Sequence, residues 1–180
     1  GVVIKTIDFI KEVSVDVTNF NLWSPENPFL YDVELFFGDD YVKSYFGLRK
    51  FSVIDFNGKK YFALNNKPYF NNGLLDQGYW VDGLYTPPSN KAMYDEILAV
   101  KNLGFNMLRK HIKVEPMLWY YYCDVLGILV WQDMINGGGS YPSIRIMLAP
   151  FINLRLDDKN YKKMKRNDES RKQYYFEAEE

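Results

Sequence analysis

Hydrophobic and polar positions follow a strand-like rhythm over about the first 75 residues and an alternating strand and helix rhythm after them. Val13, Val15 and Val17 alternate with Ser14, Asp16 and Thr18, the pattern of a strand with one buried face. Turn residues follow in Trp23-Ser24-Pro25-Glu26-Asn27-Pro28. Leu30 to Phe37 then reads as a strand, and Gly38-Asp39-Asp40 turns it into a partner over Tyr41 to Gly47. A second hairpin is predicted from Ser52 to Leu64, because Asn57-Gly58 suits a tight turn whose two central residues both need positive φ. Asn65-Asn66-Lys67-Pro68 forms another turn and leads into Tyr69 to Leu75.

Beyond that point the spacing predicts strand, loop and helix in alternation. Ser89, after Pro87-Pro88, is a candidate N-cap, and Met93, Ile97, Val100 and Leu103 fall at helical spacing up to Gly104. Phe105 to Arg109 is a short apolar strand. Glu115-Pro116 opens a second helix, with Pro116 near its first position, where a missing donor is tolerated. Trp119, Cys123 and Leu126 share a face of that helix, which Gly127 ends. Ile128 to Trp131 is apolar throughout, as expected of a parallel strand covered on both sides. This alternation with short connections predicts a parallel α/β sheet. A Gly-, Ser- and Pro-rich loop at 137–142 and a charged, helical segment over 159–180 complete the pattern.

Composition narrows the function classes. A hydrophobic fraction of 47% is ample for a core, which excludes wholesale disorder. The net charge of -1 comes with no basic stripe, so nucleic acid is not an expected partner. The single cysteine, Cys123, excludes an intramolecular disulfide and sits in an aromatic helical pattern, where a buried, inert thiol is expected. With one Cys and one His, a zinc site of the usual type is excluded, and no carboxylates cluster at ligand spacing, so no metal or cofactor is expected. No apolar run is long enough to cross a bilayer and no signal peptide is visible, so no membrane partner is expected and cytoplasm is the default compartment. The start at Gly1-Val2-Val3-Ile4, without Met, reads as a position inside a longer protein, and such a fragment could have lost a leader.

Five segments, in order, carry a family resemblance. Leu22-Trp23-Ser24-Pro25-Glu26-Asn27-Pro28-Phe29-Leu30-Tyr31 and Phe46-Gly47-Leu48-Arg49-Lys50 resemble two runs of the immunoglobulin-like domain of family 2 glycoside hydrolases. Phe62 to Pro68 resembles that family's entry into its barrel, Leu103 to His111 its second barrel strand, and Trp119 to Asp133 its second helix and third strand. The resemblance implies a multidomain β plus α/β chain: the C-terminal part of an immunoglobulin-like β-sandwich at 1–52, then the N-terminal part of a (β/α)8 TIM barrel at 53–180. It also implies a retaining exo-β-glycosidase, of the β-galactosidase, β-glucuronidase or β-mannosidase kind, acting on carbohydrate. The sequence departs from the family at Asn72, where an Arg is usual, in the two-residue spacing of Arg109 and His111, and in the loop Asp76-Gln77-Gly78-Tyr79-Trp80.

Ligands of such barrels sit at the C-terminal ends of the strands. The first strand delivers Asp76, Gln77 and Trp80, the second Arg109, Lys110 and His111, and the third Gln132, Asp133 and Asn136. Asp76, Trp80, Arg109, His111 and Asp133 are the candidate substrate-binding residues. By resemblance, Arg109 braces the pocket and His111 meets a sugar hydroxyl. Plainer roles stand beside these: an Arg109 ion pair with Asp133 or Asp76, a His111 that only supports other residues, a packed Trp80, and Asp133 as a strand-end or capping residue. The family's two catalytic glutamates follow its fourth and seventh strands, the first preceded by Asn. The sequence holds no Asn-Glu pair, so both are expected beyond Glu180 and the 180 residues are expected to be inactive alone. A half-barrel would leave an open sheet edge, and hence a tendency to self-associate. The alternative is a non-catalytic sugar-binding or interaction module.

Overall fold

The computed structural model describes residues 14–134, with Val3, Thr6, Met147, Leu148 and Phe151. The loop at 137–142, Asn136 and the segment 159–180 lie outside the described residues. Strand β1 (Tyr31–Phe37) and strand β2 (Asp40–Phe46) form an antiparallel hairpin, pairing Tyr31 with Phe46 and Phe37 with Asp40. Strand β3 (Phe51–Phe56) and strand β4 (Lys59–Leu64) form the second hairpin. Its turn residues Asn57 and Gly58 have φ of 52° and 72°, as the Asn-Gly pair predicts. Asn65 and Asn66 take positive φ in turn, and the two-residue strand β5 (Lys67–Pro68) folds back on β4.

One predicted strand, at 13–18, is not formed over its described residues. Residues 14–18 make no ladder, and most of them are exposed. Alternation creates one apolar face, but a strand also needs a neighbour for its backbone groups, and among the described residues none stands beside it.

The remaining elements form a parallel sheet with both helices packed against it. Strands β6 (Gly73–Asp76), β7 (Met107–Lys110) and β8 (Leu129–Gln132) lie side by side in that order. Helix α1 (Asn90–Asn102) joins β6 to β7, and helix α2 (Met117–Leu126) joins β7 to β8. Ser89 caps α1 by accepting from the Ala92 N–H at 3.1 Å. Pro116 sits one position earlier than predicted, just outside α2, with extended ψ of 146°. Met93, Ile97, Leu108, Trp119, Cys123 and Ile128 make the core between helices and sheet. Leu103, predicted on the buried face of α1, is instead its exposed C-cap, because the helix ends before completing the turn that would bury it.

The sheet's other face is only partly covered. Trp131 was expected to be buried on both sides, yet it is 41% exposed and meets the Phe62 ring edge-on, centroids 5.0 Å apart. An apolar cavity of about 370 Å³ remains between the β3–β4 hairpin and β8, lined by Phe51, Val53, Phe62, Leu129 and Trp131.

The segment from Leu22 to Pro28 joins the hairpins to the helices, which accounts for its unusual residues. Trp23 is wholly buried and donates its indole N–H to the Asp124 carbonyl at 2.8 Å. Arg49 lies over the Trp23 ring at 4.4 Å and bonds the Asp124 carboxylate at 2.5 Å, with Tyr45 on the second carboxylate oxygen at 3.1 Å. Burial and the Asp124 charge push the Tyr45 hydroxyl up to about 12. Lys101, at the end of α1, donates to the Pro25 and Gly127 carbonyls at 2.6 and 2.9 Å.

Candidate functional site

Parallel α/β sheets bind ligands beyond the carboxyl ends of their strands. Here those ends are Asp76, Lys110 and Gln132, which lie in register, as do Leu75, Arg109 and Trp131 one residue before them. Side chains alternate across a sheet, so these two rows face opposite sides. The row with Arg109 lies on the open face and the row with Lys110 lies under the helices. The polar strand-end residues therefore form two groups.

On the open face, Arg109 grips Asp133 with two bonds, Nε to Oδ1 at 3.1 Å and a guanidinium nitrogen to Oδ2 at 3.0 Å. The hydrogen bonds from Arg109 hold the Asp133 carboxyl below the usual range, and they raise the guanidinium in turn. Half of the Arg109 side chain stays exposed, so donors remain for a ligand. His111 continues the same alternation. Its Nδ1 lies 3.1 Å from the Gln77 amide nitrogen, which sets Nδ1 as the acceptor when that amide donates, and its main-chain N–H donates to the Asp76 carbonyl. Of the ion pairs open to Arg109 in the sequence, the one with Asp133 is formed.

Under the helices, Lys110 is fully buried between two carboxylates, 2.5 Å from Asp76 and 2.9 Å from Glu115, with its Nζ 4.3 Å from the Trp119 ring. Lys113 shares Glu115 at 2.9 Å and also donates to the Gly78 and Tyr85 carbonyls, at 2.9 and 2.7 Å. Asp76 accepts from the Gly78 N–H at 2.7 Å. This candidate binding residue thus spends its oxygens inside the fold, apart from Arg109, His111 and Asp133. Trp80 is half-buried in the loop after β6, where its main chain pairs with that of Leu84. Sequence reasoning singled out neither Glu115 nor Lys113. The available signal was strand parity, which puts Lys110 opposite Arg109, and a buried lysine then requires carboxylates.

Asn72, one of the departures from the sequence resemblance, lies at the other end of the sheet. Its N–H donates to Asn106 Oδ1 at 2.9 Å and its amide to the Gly104 carbonyl at 3.2 Å. It serves the strand starts rather than the open-face group. The apolar cavity beneath Trp131 offers few polar groups for a hydroxylated ligand, leaving the Arg109 group as the candidate site.

The family model for Glycosyl hydrolases family 2 matches residues 2–49. A mannosylglycoprotein endo-beta-mannosidase of Lilium longiflorum is 35% identical over 128 residues, covering 63% of this chain and 13% of that protein. The chain is related to the family 2 glycosyl hydrolases. The chain is also similar to a beta-mannosidase B of Aspergillus flavus, 29% identical over 155 residues, 76% of this chain and 18% of that protein. Among solved structures, the beta-glucuronidase of Parabacteroides merdae superposes with a TM-score of 0.59 at 26% identity, covering 76% of this chain and 18% of that one. The chain thus spans less than a fifth of the length of these family 2 relatives.

Proposed function

We propose that these residues belong to a retaining exo-β-glycosidase, and that Arg109, His111 and Asp133 form part of the wall that receives the sugar. In this reading residues 1–52 are the end of an immunoglobulin-like sandwich and 53–180 the first strands and helices of a (β/α)8 barrel, with the open face of β6–β8 as its interior. The observation that carries it is the grouping of Arg109, Asp133, His111 and Gln77 on one open face at the carboxyl ends of parallel strands, in a chain related to β-glycosidases. A guanidinium with free donors, a carboxylate acceptor, an imidazole and an amide suit a ring of hydroxyls. Asp76 is not part of this wall, and Trp80 borders it from the loop.

Retaining hydrolysis uses two carboxyl groups roughly 5 Å apart. Arg109 neutralises Asp133, and Lys110 neutralises Asp76, so neither carboxylate is free to act as acid/base or nucleophile. With no Asn-Glu pair in the sequence, this reading places the hydrolytic pair beyond Glu180. The test is sugar binding by the 180-residue chain, with p-nitrophenyl β-glycosides as a hydrolysis control. Arg109→Ala should weaken methyl β-glycoside binding on the order of tenfold, the scale of one lost charge-assisted hydrogen bond. Hydrolysis should stay at buffer level. Unchanged binding in Arg109→Ala refutes the sugar wall, and measurable turnover refutes the placing of the hydrolytic pair.

A further inference from the structure

The loop that follows β6 is built in a way the sugar wall does not explain. Residues 78–85 are tied down at several points. Lys113 holds the Gly78 and Tyr85 carbonyls from beneath, at 2.9 and 2.7 Å, and Trp80 and Leu84 exchange backbone bonds of 2.7 and 2.9 Å. The Thr86 N–H closes the turn onto the Gly83 carbonyl at 2.9 Å. Gly78 takes a φ of 60°, which the sharp exit from Asp76 requires. Behind Lys113 stand Glu115, 3% exposed, and the wholly buried Lys110. A loop so anchored should present its side chains in fixed positions.

What it presents is aromatic and open to solvent. Tyr79 and Tyr85 are 61% and 63% exposed, yet they meet edge to face with centroids 5.2 Å apart and planes at 72°. Neither ring contributes to the core. Gln77, one residue before the anchored stretch, touches His111 of the sugar wall. The platform and the wall therefore share the ligand-binding end of the sheet.

We propose that Tyr79 and Tyr85 form a second carbohydrate subsite, which stacks on the sugar ring next to the one held at Arg109 and Asp133. This rests on the sugar-wall reading above. A ring in a β-linked saccharide offers a face of C–H bonds, and an aromatic ring fixed in advance can cover it with little loss of freedom. The ligand class is a β-linked disaccharide or longer chain, whose terminal sugar lies against the wall and whose second sugar lies against the tyrosines.

The experiment titrates the 180-residue chain, followed by NMR, with two pairs of probes: methyl β-galactoside with lactose, and methyl β-mannoside with β-1,4-mannobiose. Tyr79→Ala and Tyr85→Ala should each weaken the preferred disaccharide on the order of fivefold to tenfold while leaving its methyl glycoside unaffected. Tyr79→Phe and Tyr85→Phe should bind like the parent chain, since stacking needs the ring and not the hydroxyl. Arg109→Ala should weaken both members of the pair. Alanine variants that bind the disaccharide normally, while Arg109→Ala still loses it, overturn the platform and leave the sugar wall standing. A chain that binds no probe overturns both.

Discussion

Replacing Lys110 with methionine tests the buried charge cluster most directly. Met has nearly the length of the lysine stem, so the substitution removes the charge without opening a cavity. It strands two carboxylates whose side chains are 12% and 3% exposed. Breaking a buried ion pair from one side costs about 3–5 kcal/mol. The lower end applies here, because Asp76 keeps the Gly78 N–H at 2.7 Å and Glu115 keeps Lys113 at 2.9 Å. A loss of about 3 kcal/mol lowers the urea midpoint by roughly 1.5 M at an ordinary slope. The assay is urea unfolding followed by tryptophan fluorescence, since Trp119 lies against Lys110. Adding Asp76→Asn and Glu115→Gln to Lys110→Met should recover part of the loss, because the stranded carboxylate charges are then gone, while Lys113 loses its counter-charge and keeps the Gly78 and Tyr85 carbonyls. A loss below about 1 kcal/mol, or no recovery in the triple variant, refutes the argument that paired charge holds these elements together.

Two further outcomes follow from the same geometry. Gly127→Ala should destabilise by about 3 kcal/mol, since φ is 73° and an added Cβ would lie 2.5 Å from the Pro25 carbonyl oxygen; thermal unfolding reads it, and a loss under about 1 kcal/mol counts against the tight seam. Burial, with Asp76 adding in the same sense, raises the Glu96 carboxyl above its ordinary value. Its ionised form therefore weakens the fold as pH rises through and above the usual Glu range, and the effect is absent in acid, where the carboxyl is neutral in both states. Glu96→Gln should raise stability near neutral pH and change nothing at about pH 4 or below; equal melting shifts at both pH values would contradict this.

The sequence by itself determined what depends on a few neighbouring residues. Asn57-Gly58 accepts positive φ at both turn positions, Ser89 supplies an oxygen for a free helix N–H, and the alternation after residue 75 yields strand, helix and strand. The five motif segments likewise carry the glycosidase relationship in the sequence alone. Trp23 and Asp124, in two of those segments, meet across the seam between hairpin and helix.

Tertiary structure decided the allocation of the strand-end residues. Arg109 and Lys110 are adjacent in sequence and both basic, and nothing local says which faces open space. The helices settle it by covering one side of the sheet, so Lys110 must be paired with Asp76 and Glu115 while Arg109 keeps free donors. The same cover moved Asp76 from the expected sugar wall into a buried cluster. Residues 14–18 of the strand predicted at 13–18 form no ladder for a related reason: a pattern of residues can mark a face, but only a partner in space completes a strand.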